Sequence, residues 1–175
     1  MNRNIEIKAH LRCPQAVEAK AAALSALPPE LLSQEDTFFK VPSGRLKLRV
    51  LAAAEGQLIA YERPDAVGPK LSQYSIHCTS DPESLRAVLT ASLGLLGTVR
   101  KQRLVYHVGQ TRVHLDRVDG LGHFVEVEVV LRPEQTEEEG EAQARELLRA
   151  LDIAESDMVP GAYLDLLLSH TRGGG

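Results

Sequence analysis

Aromatic residues are scarce in this chain of 175 residues: four Tyr, three Phe and no Trp make up 4% of it. Hydrophobic content is otherwise ordinary, at 43%, so a core is available but must come mainly from Ile, Val and Leu. Cysteine is nearly as rare. Cys13 and Cys78 share no motif spacing, which argues against a metal knuckle or a disulfide framework and for reduced, half-buried thiols. No stretch approaches membrane-span length and the N-terminus carries no apolar leader, so a soluble cytoplasmic protein is expected. An excess of positive charge is also missing. The net charge of -4 argues against non-specific binding to nucleic acid or to a membrane surface. There is no internal repeat, and the one biased block, Glu134 to Glu141, reads as the solvated first turn of a helix. The length fits a single domain over residues 1–170, with 171–175, ending Arg172-Gly-Gly-Gly, as a disordered tail.

What the chain does have is alternation. Ile5-Glu6-Ile7-Lys8 and Val125-Glu126-Val127-Glu128-Val129 each place apolar residues on one side of a strand and charges on the other. The same period of two runs through Asn4 to Leu11, Arg45 to Leu51, Gln57 to Arg63, Gln73 to Thr79, Val99 to Val108, Thr111 to Arg117 and His123 to Leu131. Helical spacing occupies Pro14 to Leu27, which Pro28-Pro29 ends. Asp81-Pro82 opens a second helix, with an N-cap followed by a proline at its first position. A capping box at Thr136 and Glu139 opens a third, and Tyr163 to Leu168 reads as a short fourth. Gly44, Gly56, Gly109 and Asp119-Gly120 fall between strands as hairpins require. Pro64 to Ser72 reads as a mobile loop.

An open sheet with its charged face in water is the plain reading of such strands. Two observations weigh against it. The amphipathic helices need an apolar surface, and the Ile/Val/Leu face of the strands is the one available; the charged face is then left to bulk water or to the inside of a closed barrel, which also removes exposed edges. In addition, Arg45, Lys47 and Arg49 share one face, as do Lys101 and Arg103, with few acids interleaved. Like charges so placed repel unless an anion lies among them. Glu6, Asp116, Glu126 and Glu128 equally call for a cation, and oxygen-rich clusters of this kind suit magnesium or manganese bridged to phosphate.

Taken in order, these pieces resemble the CYTH superfamily of triphosphate tunnel enzymes, which includes class IV adenylyl cyclases, thiamine triphosphatases and inorganic tripolyphosphatases. Asn4-Ile5-Glu6-Ile7-Lys8 is similar to the family's ExExK signature. Asp36-Thr37-Phe38-Phe39, Gly44-Arg45-Leu46-Lys47-Leu48-Arg49, Tyr61-Glu62-Arg63-Pro64, Lys101-Gln102-Arg103, Asp116 and Glu126-Val127-Glu128 follow in the family's order. The resemblance implies a closed eight-stranded antiparallel β-barrel with helices packed outside. It implies that Glu6, Glu126 and Glu128 hold Mg2+ or Mn2+, with Asp116 nearby. Lys8, Arg49, Arg63, Lys101 and Arg103 would grip a small-molecule triphosphate and act in catalysis by neutralising its oxygens. Lys47 joins them on the same face, Arg45 marks the tunnel mouth, and Lys70 in the mobile loop would close over substrate. A homodimer follows by analogy with the family.

The same constellation serves a triphosphatase, a class IV adenylyl cyclase making cyclic AMP and pyrophosphate, or a non-catalytic polyphosphate-binding module. Hydrolysis is favoured because no adenine pocket is evident in the sequence. His10 and His114 share the parity of the charged face and are candidates for proton transfer; His77, His107 and His123 read as satisfied polar residues. One departure from the signature matters. Asn4 stands where the motif has its first glutamate, so a cation there loses a charged ligand. Asn4→Glu is expected to tighten magnesium binding, and an unchanged metal titration would count against the assigned site.

Overall fold

The computed structural model describes residues 1–172. Eight strands run in the order β1 (Asn2–His10), β2 (Glu30–Phe39), β3 (Arg45–Ala52), β4 (Glu55–Glu62), β5 (Lys70–Thr79), β6 (Leu95–Val108), β7 (Thr111–Val118) and β8 (Gly122–Val130). They close antiparallel into a barrel whose neighbours are β1-β5-β4-β3-β2-β6-β7-β8, with β8 returning to β1. Helices α1 (Pro14–Leu24), α2 (Pro82–Leu93), α3 (Glu137–Ala150) and α4 (Tyr163–Arg172) lie around it. None of the described helices is long and apolar enough to cross a membrane.

Alternation decides which way each strand faces. Ile5, Ile7 and Ala9 of β1, Val113 and Leu115 of β7, and Val125, Val127 and Val129 of β8 form an outward apolar surface. Val17 and Ala21 of α1 and Ala144, Leu147 and Leu148 of α3 cover it. Burying each such aliphatic side chain contributes about 1.5–3 kcal/mol, so this outer layer fixes the charged residues of the same strands inward. The expected capping box starts α3: Glu139 N donates to Thr136 Oγ1 at 3.2 Å and Thr136 N to Glu139 Oε2 at 2.9 Å. Asp81 caps α2 by accepting from Ser84 N at 3.1 Å.

Several expectations are corrected. The period-two pattern misses β2 entirely, because each of its faces mixes polar and apolar residues: Gln34, Asp36 and Phe38 point inward, while Glu35, Thr37 and Phe39 point outward. Outward Glu35 is held by Arg86 at 2.6 Å and Arg100 at 2.7 Å. Helix α1 stops at Leu24, not Leu27, because Ser25 turns to extended backbone after its N–H closes the last helical hydrogen bond on Ala21 O. Lys70 begins β5 and does not belong to a mobile loop. Cys13 and Cys78 are exposed rather than half-buried. Helix α4 continues to Arg172, so residues 171 and 172 are helical; the remainder of the expected tail, 173–175, lies outside the described residues.

Gly140 shows how closely α3 sits on the barrel. A Cβ there would lie 2.5 Å from Leu131 Cδ2 and 2.7 Å from Ile5 Cγ1. Gly140→Val should therefore destabilise the fold by about 1–3 kcal/mol through overpacking. Thermal unfolding should register this as a loss of roughly 2–4 °C per kcal/mol; an unchanged midpoint would mean that α3 can shift outward freely.

Candidate active site

The barrel encloses a cavity of about 600 Å3 lined by inward-facing residues of all eight strands and by Ala162 and Tyr163. One end is stopped by the segment leading into α4. Val159 N donates to Lys8 O at 2.9 Å, and Lys8 Nζ donates to Gly161 O at 3.1 Å. The Tyr163 ring then lies inside the barrel, 5.0 Å from Phe124 between centroids, under Lys8 Nζ at 4.1 Å and Lys101 Nζ at 5.2 Å. At the other end β2 starts, β3 ends and β4 starts, and Glu30, Leu51 and Glu55 mark the mouth.

Charge is segregated across the tunnel. Neighbouring strands β1 and β8 bring Glu6 opposite Glu128 and Lys8 opposite Glu126. On the facing wall, β3 and β6 supply Lys47, Arg49, Lys101 and Arg103. That wall is not as unbalanced as the strand patterns alone suggest. Asp36, from β2 between β3 and β6, takes a bidentate pair from Arg49 at 2.8 and 2.8 Å, with Lys47 at 3.3 Å and Lys101 at 3.5 Å. Burial alone would raise the Asp36 carboxyl, but Arg49, Lys47 and Lys101 outweigh it and hold the group well below the usual carboxylate range. Asp36 went unrecognised as a site residue because its strand lacks alternation; its signal was its place in the Asp-Thr-Phe-Phe piece.

Asp116, expected near the metal, stands behind Arg103 instead. It takes Arg103 Nε and Nη2 at 2.6 and 2.6 Å and accepts from Tyr163 Oη at 2.7 Å. Both oxygens are thus engaged in aiming Arg103 and Tyr163. Arg63 donates to Glu6 Oε2 at 2.7 Å while its buried Nε has no partner among the described residues. Lys70 is buried on β5 opposite Glu6 in the β1–β5 register, with Nζ donating to Ala66 O at 2.9 Å. Arg45 sits on the stopped rim, not at the open mouth, and ties Asp165 of α4 at 2.8 Å to Asp65 at 3.2 Å.

His114 and His10 part company despite their shared parity. His114 is buried between Glu126, at 3.6 Å from Nδ1, and Glu128, at 3.5 Å from Nε2. Burial first, then repulsion from Arg103, lowers its pKa. His10 is exposed at the strand end and leans on Phe124 at 4.9 Å. His107 lines the tunnel at the parity of Lys101 and Arg103 in β6, while His77 and His123 are exposed.

Glu6, Glu126 and Glu128 have the donor chemistry that a hard divalent cation requires. Glu126 is the freest: among the described residues no donor lies within hydrogen-bond distance, the nearest being His114 at 3.6 Å and Lys8 at 3.8 Å. Burial would raise its pKa, yet His114, Arg103 and Lys8 keep it ionised well below the carboxylate norm. Glu128 is more occupied, accepting from Asn4 Nδ2 on one oxygen and from Arg112 Nε at 3.0 Å on the other. Among the described residues no three His, Cys, Asp or Glu side chains are already gathered for a metal. The donor set fits a cation, with Glu126 and the free oxygen of Glu6 the most available ligands.

Comparison with known proteins follows the geometry. Residues 2–163 match the model of the CYTH domain family. The adenylate cyclase CyaB of Aeromonas hydrophila is 24% identical over 163 residues, spanning 86% of this chain and 82% of that protein. The PH1012 protein of Pyrococcus horikoshii OT3 superposes with a TM-score of 0.82 at 23% identity, covering 95% of this chain and 99% of the other. HpAC1 from Hippeastrum, a supposed adenylyl cyclase described as having a dominant triphosphatase activity, gives a TM-score of 0.65 at 20% identity, over 97% and 96% of the two chains.

The buried lysines make anion binding dependent on pH. Burial, then repulsion from Arg103, lowers Lys101 to about 7, and burial lowers Lys8 to about 8. A polyphosphate anion in the cavity would favour the protonated forms and raise both values, so its binding would take up protons. Affinity should fall as pH rises from 7 to 9. Titration calorimetry at pH 7.5 in buffers of different ionisation enthalpy should show net proton uptake, smaller in Lys101→Met; proton release would contradict the assignment.

Proposed function

This chain belongs to the CYTH domain family, and on that premise we propose that it is a divalent-metal-dependent triphosphatase acting on a small-molecule triphosphate held inside the barrel. The observation that carries the reading is the division of one enclosed cavity into a cationic wall and a carboxylate wall. The former comprises Lys47, Arg49, Lys101 and Arg103, the latter Glu6, Glu126 and Glu128. A linear polyphosphate complexed to a cation has the matching distribution of charge.

Magnesium or manganese held by Glu6, Glu126 and Glu128 would supply Lewis acidity toward a phosphoryl oxygen. The chain's own residues do the rest. Lys47, Arg49, Lys101 and Arg103 neutralise the non-bridging and leaving oxygens inside the barrel, where fixed charges act more strongly than in bulk solution. Asp116 fixes the plane of Arg103 and so keeps its free edge directed at the cavity. Lys8 and Arg63 approach from the carboxylate side, each with a glutamate partner, at 3.8 Å for Glu126 and 2.7 Å for Glu6. Water attacking the terminal phosphorus breaks its bond to the bridging oxygen, releasing orthophosphate and the corresponding diphosphate.

A second reading draws on the likeness to Aeromonas CyaB. If a ribose 3′-hydroxyl attacks the α-phosphorus of ATP in the same cavity, cyclic AMP and pyrophosphate leave. Incubation with tripolyphosphate, thiamine triphosphate and ATP, each with magnesium or manganese, separates the two. Orthophosphate is expected from each, accompanied by pyrophosphate from tripolyphosphate, ADP from ATP and thiamine diphosphate from thiamine triphosphate; cyclic AMP with pyrophosphate from ATP would replace the hydrolase by the cyclase, and tight binding without turnover would remove both. Glu126→Gln combined with Glu128→Gln should cut turnover by roughly a hundredfold or more, and retained activity would take these residues out of the reaction.

A further inference from the structure

Glu6 and Glu128 stand opposite one another in the β1–β8 register, and both line the tunnel. Two carboxylates so placed repel each other and call for positive charge. Each already has an arginine. Arg63 donates to Glu6 at 2.7 Å from one side. From the other, Arg112 stands opposite Glu128 in the β7–β8 register and donates Nε to its Oε2 at 3.0 Å. Lys70 lies opposite Glu6 as well. One step deeper, Glu126 faces Lys8 and His114 without a hydrogen bond among the described residues. The demand for a cation is therefore uneven along the carboxylate wall.

Asn4 fixes that unevenness. Its side chain is buried, and Tyr74 Oη donates to its Oδ1 at 3.3 Å, which turns the amide nitrogen toward Glu128 Oε1, to which Nδ2 donates. Glu128 thus accepts from a neutral donor on one oxygen and from a guanidinium on the other. Each oxygen keeps a lone pair, but the charge that would draw an ion there is already met by Arg112. A guanidinium stays charged at any working pH and presents a fork of donors that suits carboxylate and phosphate alike. The Arg112 side chain lines the cavity and is 37% exposed, so an incoming anion can reach it. Resting on the metal-dependent reading above, we propose that Arg112, seated by Glu128 and Asn4, takes the place of a second divalent ion, so that the tunnel is complete with one divalent cation. Arg112 is then an anion-binding residue in its own right, and the single ion belongs to Glu126 and Glu6.

Equilibrium dialysis of Mn2+ against the full chain, with saturating imidotriphosphate as a non-hydrolysable analogue of tripolyphosphate, counts the ions held per chain. One is expected for the wild type and two for Asn4→Glu combined with Arg112→Gln. Two ions in the wild type, or one in the folded double variant, would overturn the proposal and leave the metal-dependent reading intact. No ion in the wild type would remove that reading and this inference with it. Should the double variant not fold, calorimetry of imidotriphosphate in EDTA decides, with Arg112→Gln and Arg112→Lys as single changes at a partly exposed position. Loss of the guanidinium should weaken binding roughly tenfold or more in Arg112→Gln, and less in Arg112→Lys, which keeps the charge. Equal affinity in the wild type and Arg112→Gln, or no binding by the wild type without metal, would show that Arg112 supplies the anion nothing, and the proposal fails.

Discussion

Enclosing charge inside a closed barrel is the constraint on which this molecule turns. The outward apolar faces of β1, β7 and β8 are taken by α1 and α3, so the alternate residues face the tunnel. Two unit charges about 4 Å apart interact by about 4 kcal/mol at the effective dielectric of a partly buried site. At that scale no wall of four cations persists unless acids stand among or behind them. The structure supplies these from strands between or beside the cationic ones. Asp36 sits amid Lys47, Arg49 and Lys101, and Asp116 clamps Arg103. The result is a surface whose positive groups are held in place yet only partly neutralised, and the remainder is what an anion meets.

Partial neutralisation also explains why lysine and arginine behave differently here. The guanidinium groups of Arg49 and Arg103 have bidentate carboxylate partners and stay charged, with pKa values raised despite burial. Lys101 and Lys8 have longer contacts, 3.5 Å to Asp36 and 3.8 Å to Glu126, and burial dominates. Arginines therefore give the wall a fixed field, while the lysines are the groups whose charge state responds to what enters. Both lysines lie over the Tyr163 ring, whose negative face favours their charged form. The aromatic residue that stops the tunnel thus also tunes the cations beside it.

Strand alternation made most of this legible in the sequence, because a period of two needs no knowledge of partners. Glu6, Lys8, Arg49, Lys101, Arg103, Glu126 and Glu128 all line the cavity as their parity required. What escaped depended on neighbours that only the closed sheet brings together. Asp36 and Gln34 lie on a strand whose outward face carries Glu35, an acid paired to Arg86 and Arg100, so its pattern has no apolar side to read. Asp116 has the right parity for the tunnel, but its level in the barrel matches Arg103 across the β6–β7 register; parity gives the face and not the height. Lys70 was misread for a similar reason, since Gly68 and Pro69 suggest a loop while the chain is already entering β5.

Height along the barrel also separates the two glutamates of the Glu-Val-Glu piece, which the sequence presents as equals. Glu128 lies nearer the mouth, where Asn4 and Arg112 take both its oxygens. Glu126 lies one step deeper, facing Lys8, Arg103 and His114, none close enough to hydrogen-bond. A glutamate at position 4 would add a second negative group beside Glu128 and call for a cation between them. The carboxamide instead donates to Glu128 and settles that charge from within the chain. Asn4 and Arg112 together therefore move the carboxylate demand for a cation away from the mouth and onto Glu126 and Glu6, opposite the cationic wall where a phosphate chain would lie.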